Sequence, residues 1–159
     1  MKKAEFTGEF EPEFVDGVKS IFEEKIVFNH VMGLRITEMR PSFVTARLDM
    51  KPELVGHFAY NRIHGGVISA CLDTLGALAL MTAMGARHMD EPPLQRLERF
   101  AKLGTIDLRV DYLRPGISPW FELTAEALRL GSRVGSARME FKGSDGKLMA
   151  TGAGAYIVS

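Results

Sequence analysis

Residues 64–86 read HGGVISACLDTLGALALMTAMGA. From Gly65 to Ala86 the stretch carries one charge, Asp73. Its length would suffice for a bilayer span, which takes about 20 residues. Its composition argues against one. Gly65, Gly66, Ala70, Gly76, Ala77, Ala79, Ala83 and Gly85 are small, and neither a second span nor a basic flank accompanies it. A central aspartate would also be costly in lipid. The stretch is therefore expected to be a helix that is apolar nearly all round and buried inside a soluble fold. Its small residues let neighbours approach from several sides.

On either side the pattern changes. Residues 11–30 read as an amphipathic helix, with Phe14, Val18, Ile21, Phe22 and Lys25 at helical spacing and Pro12 in the first turn. After Gly33 a period of two takes over. Val44, Ala46, Leu48 and Met50 alternate with polar residues in a half-buried strand over 42–50. Ile106, Leu108, Val110 and Tyr112 do the same over 105–113, and Arg114-Pro115-Gly116 ends that run as a turn. Strands follow over 120–130, 134–142 and 147–158, with Ser144-Asp145-Gly146 as a hairpin turn. Short connections make the sheet mostly antiparallel. One apolar helix and one amphipathic sheet face must cover each other. The expected fold is α+β, a curved antiparallel sheet wrapped around one long central helix, in a single domain over 1–159.

Residues 88–103 (HMDEPPLQRLERFAKL) interrupt this scheme. Pro92-Pro93 breaks the chain, and Leu94, Leu97 and Phe100 then recur every three residues. A short helix with Arg96, Arg99 and Lys102 on its polar side is expected. The segment reads as a solvated insertion, with a lid or a phosphate-contacting flap as the functional alternative.

Composition narrows the function classes. The chain has 159 residues, about one domain's worth, and 46% of them are hydrophobic. Twenty basic side chains balance 20 acidic ones, so no global field holds nucleic acid or an anionic membrane. Cys71 is the only cysteine; it forms no intrachain disulfide, and no Cys/His spacing resembles a zinc site. Lys2 and Lys3 precede a charged, broken stretch that does not read as a signal peptide. A cytoplasmic location is the expectation. There is no Walker A motif, G-x-G-x-x-G, H-E-x-x-H or G-x-S-x-G.

Chemistry gathers around the start of the long helix. Backbone N–H groups are unpaired at a helix N-terminus, and the dipole there favours negative charge. In His64-Gly65-Gly66 two residues without side chains let a substrate oxygen approach those amides, as an oxyanion hole requires. The glycines also serve a tight turn or close packing. Asp73, alone in an uncharged helix, is either satisfied by structural hydrogen bonds or a functional acid, base or nucleophile. It lies two turns beyond Gly66, about 10 Å along the axis, so one carbonyl carbon hardly meets both groups from one helix. If both serve one reaction, two chains contribute, and at least a dimer is expected. His64 is a candidate for orienting the turn. His57 and Asn61, in the loop before it, are alternative donors to a carbonyl or a water. Thr105 opens the 105–113 strand and is placed to hydrogen-bond near Asp73.

The run His64-Gly65-Gly66-Val67-Ile68-Ser69-Ala70-Cys71-Leu72-Asp73, with Gly76 and Ala79 after it, resembles the HGG-x(6)-D signature of the hotdog-fold acyl-CoA thioesterases. It is most similar to the PaaI-like branch and, within that, to the YigI-type medium- and long-chain enzymes. Thr105 to Gly116, with its Y-x-R-P ending, resembles the family's strand, and Gly131-Ser132-Arg133-Val134-Gly135 resembles the hairpin after it. The resemblance spans about residues 30–158.

It implies a hotdog fold and thioester hydrolysis, with Asp73 as general base or nucleophile. The Gly66 N–H would polarise the carbonyl from the partner subunit, and Thr105 would supply a hydroxyl that positions water. It also implies a dimer or a dimer of dimers, and no cofactor, since CoA is part of the substrate. The nucleotide would lie near Gly65, Arg114, Gly131, Ser132 and Arg133, with Arg96 and Arg99 as further candidates. The acyl chain would run into the dimer interface. Relatives often carry Asn or Gln shortly before HGG, a role left here to His57 or Asn61. Hotdog folds also host dehydratases and hydratases, but these need a His paired with an acid, and no second acid-bearing motif is present. A non-catalytic acyl-CoA sensor would bring a DNA-binding segment, and residues 1–30 show no basic helix-turn-helix. A scaffolding domain in which Asp73 is simply buried is the remaining alternative.

Overall fold

In the computed structural model, which describes residues 8–159, the apolar stretch forms one 23-residue helix, α3 (Gly65–Arg87). Lys2 and Lys3 lie outside the described residues. The main sheet comprises β1 (Arg35–Arg40), β2 (Phe43–Asp49), β5 (Gly104–Tyr112), β6 (Trp120–Leu130), β7 (Val134–Gly143) and β8 (Leu148–Ile157). Its order is β1-β2-β6-β7-β8-β5, and every pairing is antiparallel. Two short strands, β3 (Val55–His57) and β4 (Arg62–Ile63), pair separately just before α3.

The sheet touches α3 from β2, β5, β6, β7 and β8. Leu72, Leu75, Leu78, Leu80 and Met81 are fully buried there, with Phe121, Leu123, Met139 and Phe141 in the same core. Burying each such side chain is worth roughly 1.5–3 kcal/mol. The small residues act as expected. A Cβ on Gly76 would stand 2.3 Å from the Tyr156 hydroxyl, and one on Gly85 would stand 2.5 Å from the Phe14 ring. Two-thirds of the helix's most apolar window is buried inside the fold.

The amphipathic stretch before the sheet is broken into three pieces: α1 (Pro12–Lys19), a π-helical segment (Ser20–Lys25) and α2 (Val27–Met32). The Ile26 N–H reaches back to the Ile21 carbonyl at 2.9 Å, and Ile26 itself is extended. The buried Asn29 side chain donates to the Phe22 carbonyl at 2.9 Å. A side chain thus satisfies a carbonyl that continuing helix would otherwise have used. Gly33, at φ 80°, ends α2 in the left-handed conformation that glycine adopts without strain.

Two expectations are corrected. The 88–103 segment does contain a short helix, α4 (Pro93–Glu98), followed by a 3-10 turn (Arg99–Lys102). Its faces are only partly as expected, however: Leu97 and Phe100 pack against the core and Lys102 is exposed. Leu94 is exposed, whereas Arg96 is completely buried. The Arg96 guanidinium donates to Glu11 at 2.7 Å, sits 4.7 Å from the Phe14 ring centroid, and reaches the Gly85 carbonyl at 3.4 Å. Leu97 packs on Gly17 of α1. The segment is docked rather than solvated, because burying a guanidinium demands a fixed set of partners. Arg96 is therefore unavailable to a nucleotide.

The second correction concerns β5. Its alternation is real, yet Ile106 and Tyr112 stay half exposed. β5 is a sheet edge, and a bulge between Thr105 and Asp107 shifts its register against β8.

Candidate active site

His64 is the N-cap of α3, and its Nδ1 accepts the Gly66 N–H at 2.8 Å. A ring nitrogen that accepts carries no proton, so the neutral imidazole holds its proton on Nε2. The Gly66 amide, expected to face a substrate oxygen, is engaged by His64 in this structure. The Val67 and Ile68 amides turn back to the His64 carbonyl at 3.0 and 3.3 Å. Gly65 is the first helical residue, and its N–H has no acceptor within the helix. The Tyr112 hydroxyl donates to the Gly65 carbonyl at 2.9 Å, which ties the end of β5 to the start of α3.

The loop before the cap separates the two alternative donors. Asn61 is exposed and takes a left-handed conformation (φ 48°) after the 3-10 turn Phe58–Tyr60. Asparagine tolerates that conformation, so a turn role accounts for it. His57 stacks against Phe58 and lies 4.9 Å from the Tyr60 ring. Its Nδ1 is buried without a hydrogen-bond partner among the described residues. Gly56 presses on the backbone of His64, where an added Cβ would stand 2.5 Å from Cα. β3 therefore carries His57 alongside the HGG turn.

Asp73 sits two turns further along α3, partly buried. Thr105 Oγ1 donates to its Oδ1 at 2.8 Å. The Tyr156 hydroxyl donates to its backbone carbonyl at 3.1 Å. Burial, and secondly the negative charge of Asp73, push the Tyr156 phenol above its ordinary value, so it remains a proton donor. Asp73, Thr105 and Tyr156 line a cavity of about 130 Å³ whose other walls are mostly apolar: Phe22, Ile26, Ala77, Phe100 and Leu103. Thr74, next along α3, donates to Asn29 Oδ1 at 3.1 Å. Asn29 and Tyr156 were not among the sequence candidates. The one readable signal was an amide inside an otherwise apolar helical stretch.

A larger cavity, about 510 Å³, lies elsewhere, at the C-terminal end of α3. Arg87, Arg99, Lys102, Gly131 and Ser132 line it, and Asp73 does not. Arg133 lines a shallower groove beside it. Arg114 is far away. The Arg133 carbonyl pairs with Val158, and the Arg114 N–H pairs with Met149. Those partners are nine residues apart along β8, about 30 Å of strand. Within one protomer Arg114 and Arg133 do not share a site.

The sequence profile of the Thioesterase superfamily matches residues 60–150. The chain belongs to the thioesterase superfamily. Its fold is the hotdog that the family resemblance implied. It is 34% identical over 141 residues to the medium/long-chain acyl-CoA thioesterase YigI of Salmonella typhimurium, covering 89% of this chain and 91% of that one. Identity to the YigI of Escherichia coli K12 is 33% with the same coverage. Among solved structures, a Shewanella oneidensis protein related to the thioesterase superfamily superposes with a TM-score of 0.84 at 35% identity. That match covers 94% of this chain and all of the other.

Proposed function

We propose that this protein hydrolyses acyl-CoA thioesters of medium to long chain, with Asp73 as the catalytic carboxylate. The observation that carries this reading is the setting of Asp73. One carboxylate oxygen is held by Thr105 in the lining of a mostly apolar cavity. The chain around it is a third identical to medium/long-chain acyl-CoA thioesterases.

In this reading the Gly65 N–H, which the His64 side chain does not engage, donates to the thioester carbonyl oxygen. Asp73 Oδ2 takes a proton from water as the water oxygen bonds to the carbonyl carbon. The tetrahedral intermediate collapses, the C–S bond breaks, and the thiolate leaves with that proton. In the nucleophilic variant Asp73 attacks first and water opens the mixed anhydride. Gly65 and Asp73 are eight residues apart, about 12 Å along one helix. The site is therefore proposed to combine Gly65 of one protomer with Asp73 of another. The open edge of β5, with Ile106 and Tyr112 half exposed, supports pairing with a second copy. Such pairing is also what would allow Arg114 and Arg133 to serve one substrate.

The nucleotide is assigned to the cavity lined by Arg87, Arg99, Lys102, Gly131 and Ser132, flanked by Arg133. It begins at Met84, 11 residues or about 16 Å along α3 from Asp73. CoA enters as part of the substrate, and neither route calls for a cofactor.

The test is thiol release from an acyl-CoA series with wild type and Asp73→Asn at equal folded concentration. Wild type is expected to turn over, and the variant to lose roughly a hundredfold or more while still binding acyl-CoA. Unfolding of the variant would make Asp73 structural. Idle wild type across the series would end the hydrolase reading.

A further inference from the structure

We propose that the Phe22–Phe100 pair forms the end wall of an acyl pocket inside one protomer, and that Phe100 sets the acyl chain length the enzyme accepts. This rests on the thioesterase reading above. The cavity at Asp73 is walled by apolar side chains, polar only on the side of Asp73, Thr74, Thr105 and the Tyr156 hydroxyl. That is the polarity an acyl thioester needs, with its reacting carbon at the carboxylate and its hydrocarbon beyond.

The cavity measures about 130 Å³. A cavity of roughly 150 Å³ with apolar walls holds one benzene molecule, so about six carbons fit before the two rings, and a medium or long chain must displace Phe100 to enter further. A longer chain meets the two rings, which stand edge to face with centroids 5.0 Å apart.

The two halves of the wall are held differently. Phe22 is buried, and its carbonyl is hydrogen-bonded by Asn29, which accepts in turn from Thr74, the neighbour of Asp73. This chain of contacts fixes Phe22 relative to the carboxylate. Phe100 stands on the 3-10 turn of the docked 88–103 segment, only partly buried. It is the half that substitution or movement displaces at least cost. The docked segment thus meets the substrate through Phe100 and Leu103.

The test is kcat/KM over a series from butyryl- to palmitoyl-CoA for wild type, Phe100→Ala and Ala77→Leu. Ala77 lines the same cavity from α3, one turn beyond Asp73. Each newly buried methylene is worth about fourfold. Phe100→Ala is expected to move the optimum at least two carbons longer, with about a tenfold gain for those chains. Ala77→Leu is expected to move it shorter. Opposite shifts in the two variants support the wall. Wild type active across the series with both variants keeping its profile overturns the wall and leaves the thioesterase reading intact. Wild type idle on every chain overturns both. If Phe100→Ala fails to fold, Phe100→Leu and Ala77→Leu give the same two outcomes.

Discussion

Thr105 Oγ1 donates a 2.8 Å hydrogen bond to Asp73 Oδ1, so an edge strand and the central helix meet at one carboxylate. A hydrogen bond to a charged group is worth roughly 1.5–3 kcal/mol. Thr105→Val, which keeps the shape and removes the hydroxyl, should lower kcat about ten- to a hundredfold with a smaller change in KM. Thr105→Ser should recover most of the loss. Steady-state kinetics on one acyl-CoA decides the matter, and an unchanged kcat in the valine variant would remove Thr105 from the chemistry.

The His64 cap separates a stability role from a catalytic one. His64→Ala removes the acceptor of the Gly66 N–H, and losing a cap costs about 1 kcal/mol. A fall of about 2–4 °C in Tm is expected. His64→Asn restores an acceptor and should return most of that stability. Thermal unfolding of the three proteins reads the cap directly; equal Tm in all three would mean that it carries no weight.

The contact between α1 and the docked segment should depend on pH. The Arg96 hydrogen bond holds the Glu11 carboxyl below its ordinary value, against a smaller opposing effect of burial. A carboxyl that is more acidic in the folded chain stabilises the fold above its unfolded value, about 4.3, and that contribution fades as pH falls through the folded value. Wild type should therefore lose stability below about pH 4.3 more steeply than Glu11→Gln. At neutral pH Glu11→Gln should be less stable by about 1 kcal/mol, a modest figure because Glu11 is partly exposed. Parallel denaturation midpoints across acidic pH would contradict this.

Burial pushes the Cys71 thiol up to about 12, and its Sγ reaches Met32 Sδ at 3.8 Å. The thiolate is the reactive form. A disulfide reagent at neutral pH should leave the folded protein unlabelled and react fully once denaturant unfolds it. Rapid labelling of the native state would place Cys71 nearer the surface than its complete burial allows.

The sequence made the long helix and the strands legible because periodicity reports element type directly. The juxtaposition of Thr105 with Asp73 was also readable, through a hydroxyl at the start of the cleanest alternation. Arg96 was misread for a physical reason. Its partner Glu11 lies 85 residues away, and no local pattern records a distant ion pair. The spacing of Leu94, Leu97 and Phe100 implied one buried face, but the segment is a six-residue helix running into a 3-10 turn, and a face of constant spacing does not persist through that change. For β5, a period of two identified a strand without saying what covers it. For Gly66, sequence could not reveal that the neighbouring histidine accepts its amide.

Sheet order has a consequence for when the protein becomes competent. β5 precedes β6 in sequence but pairs with β8. Thr105 is therefore held opposite Tyr156, a residue synthesised some fifty positions later. Until β8 has docked, nothing registers Thr105 against Asp73, and the Tyr156 hydroxyl is absent from the helix. A nascent chain on the ribosome can build α3 and the β1–β2 hairpin early, yet it should show no turnover until β8 has emerged and the sheet has closed.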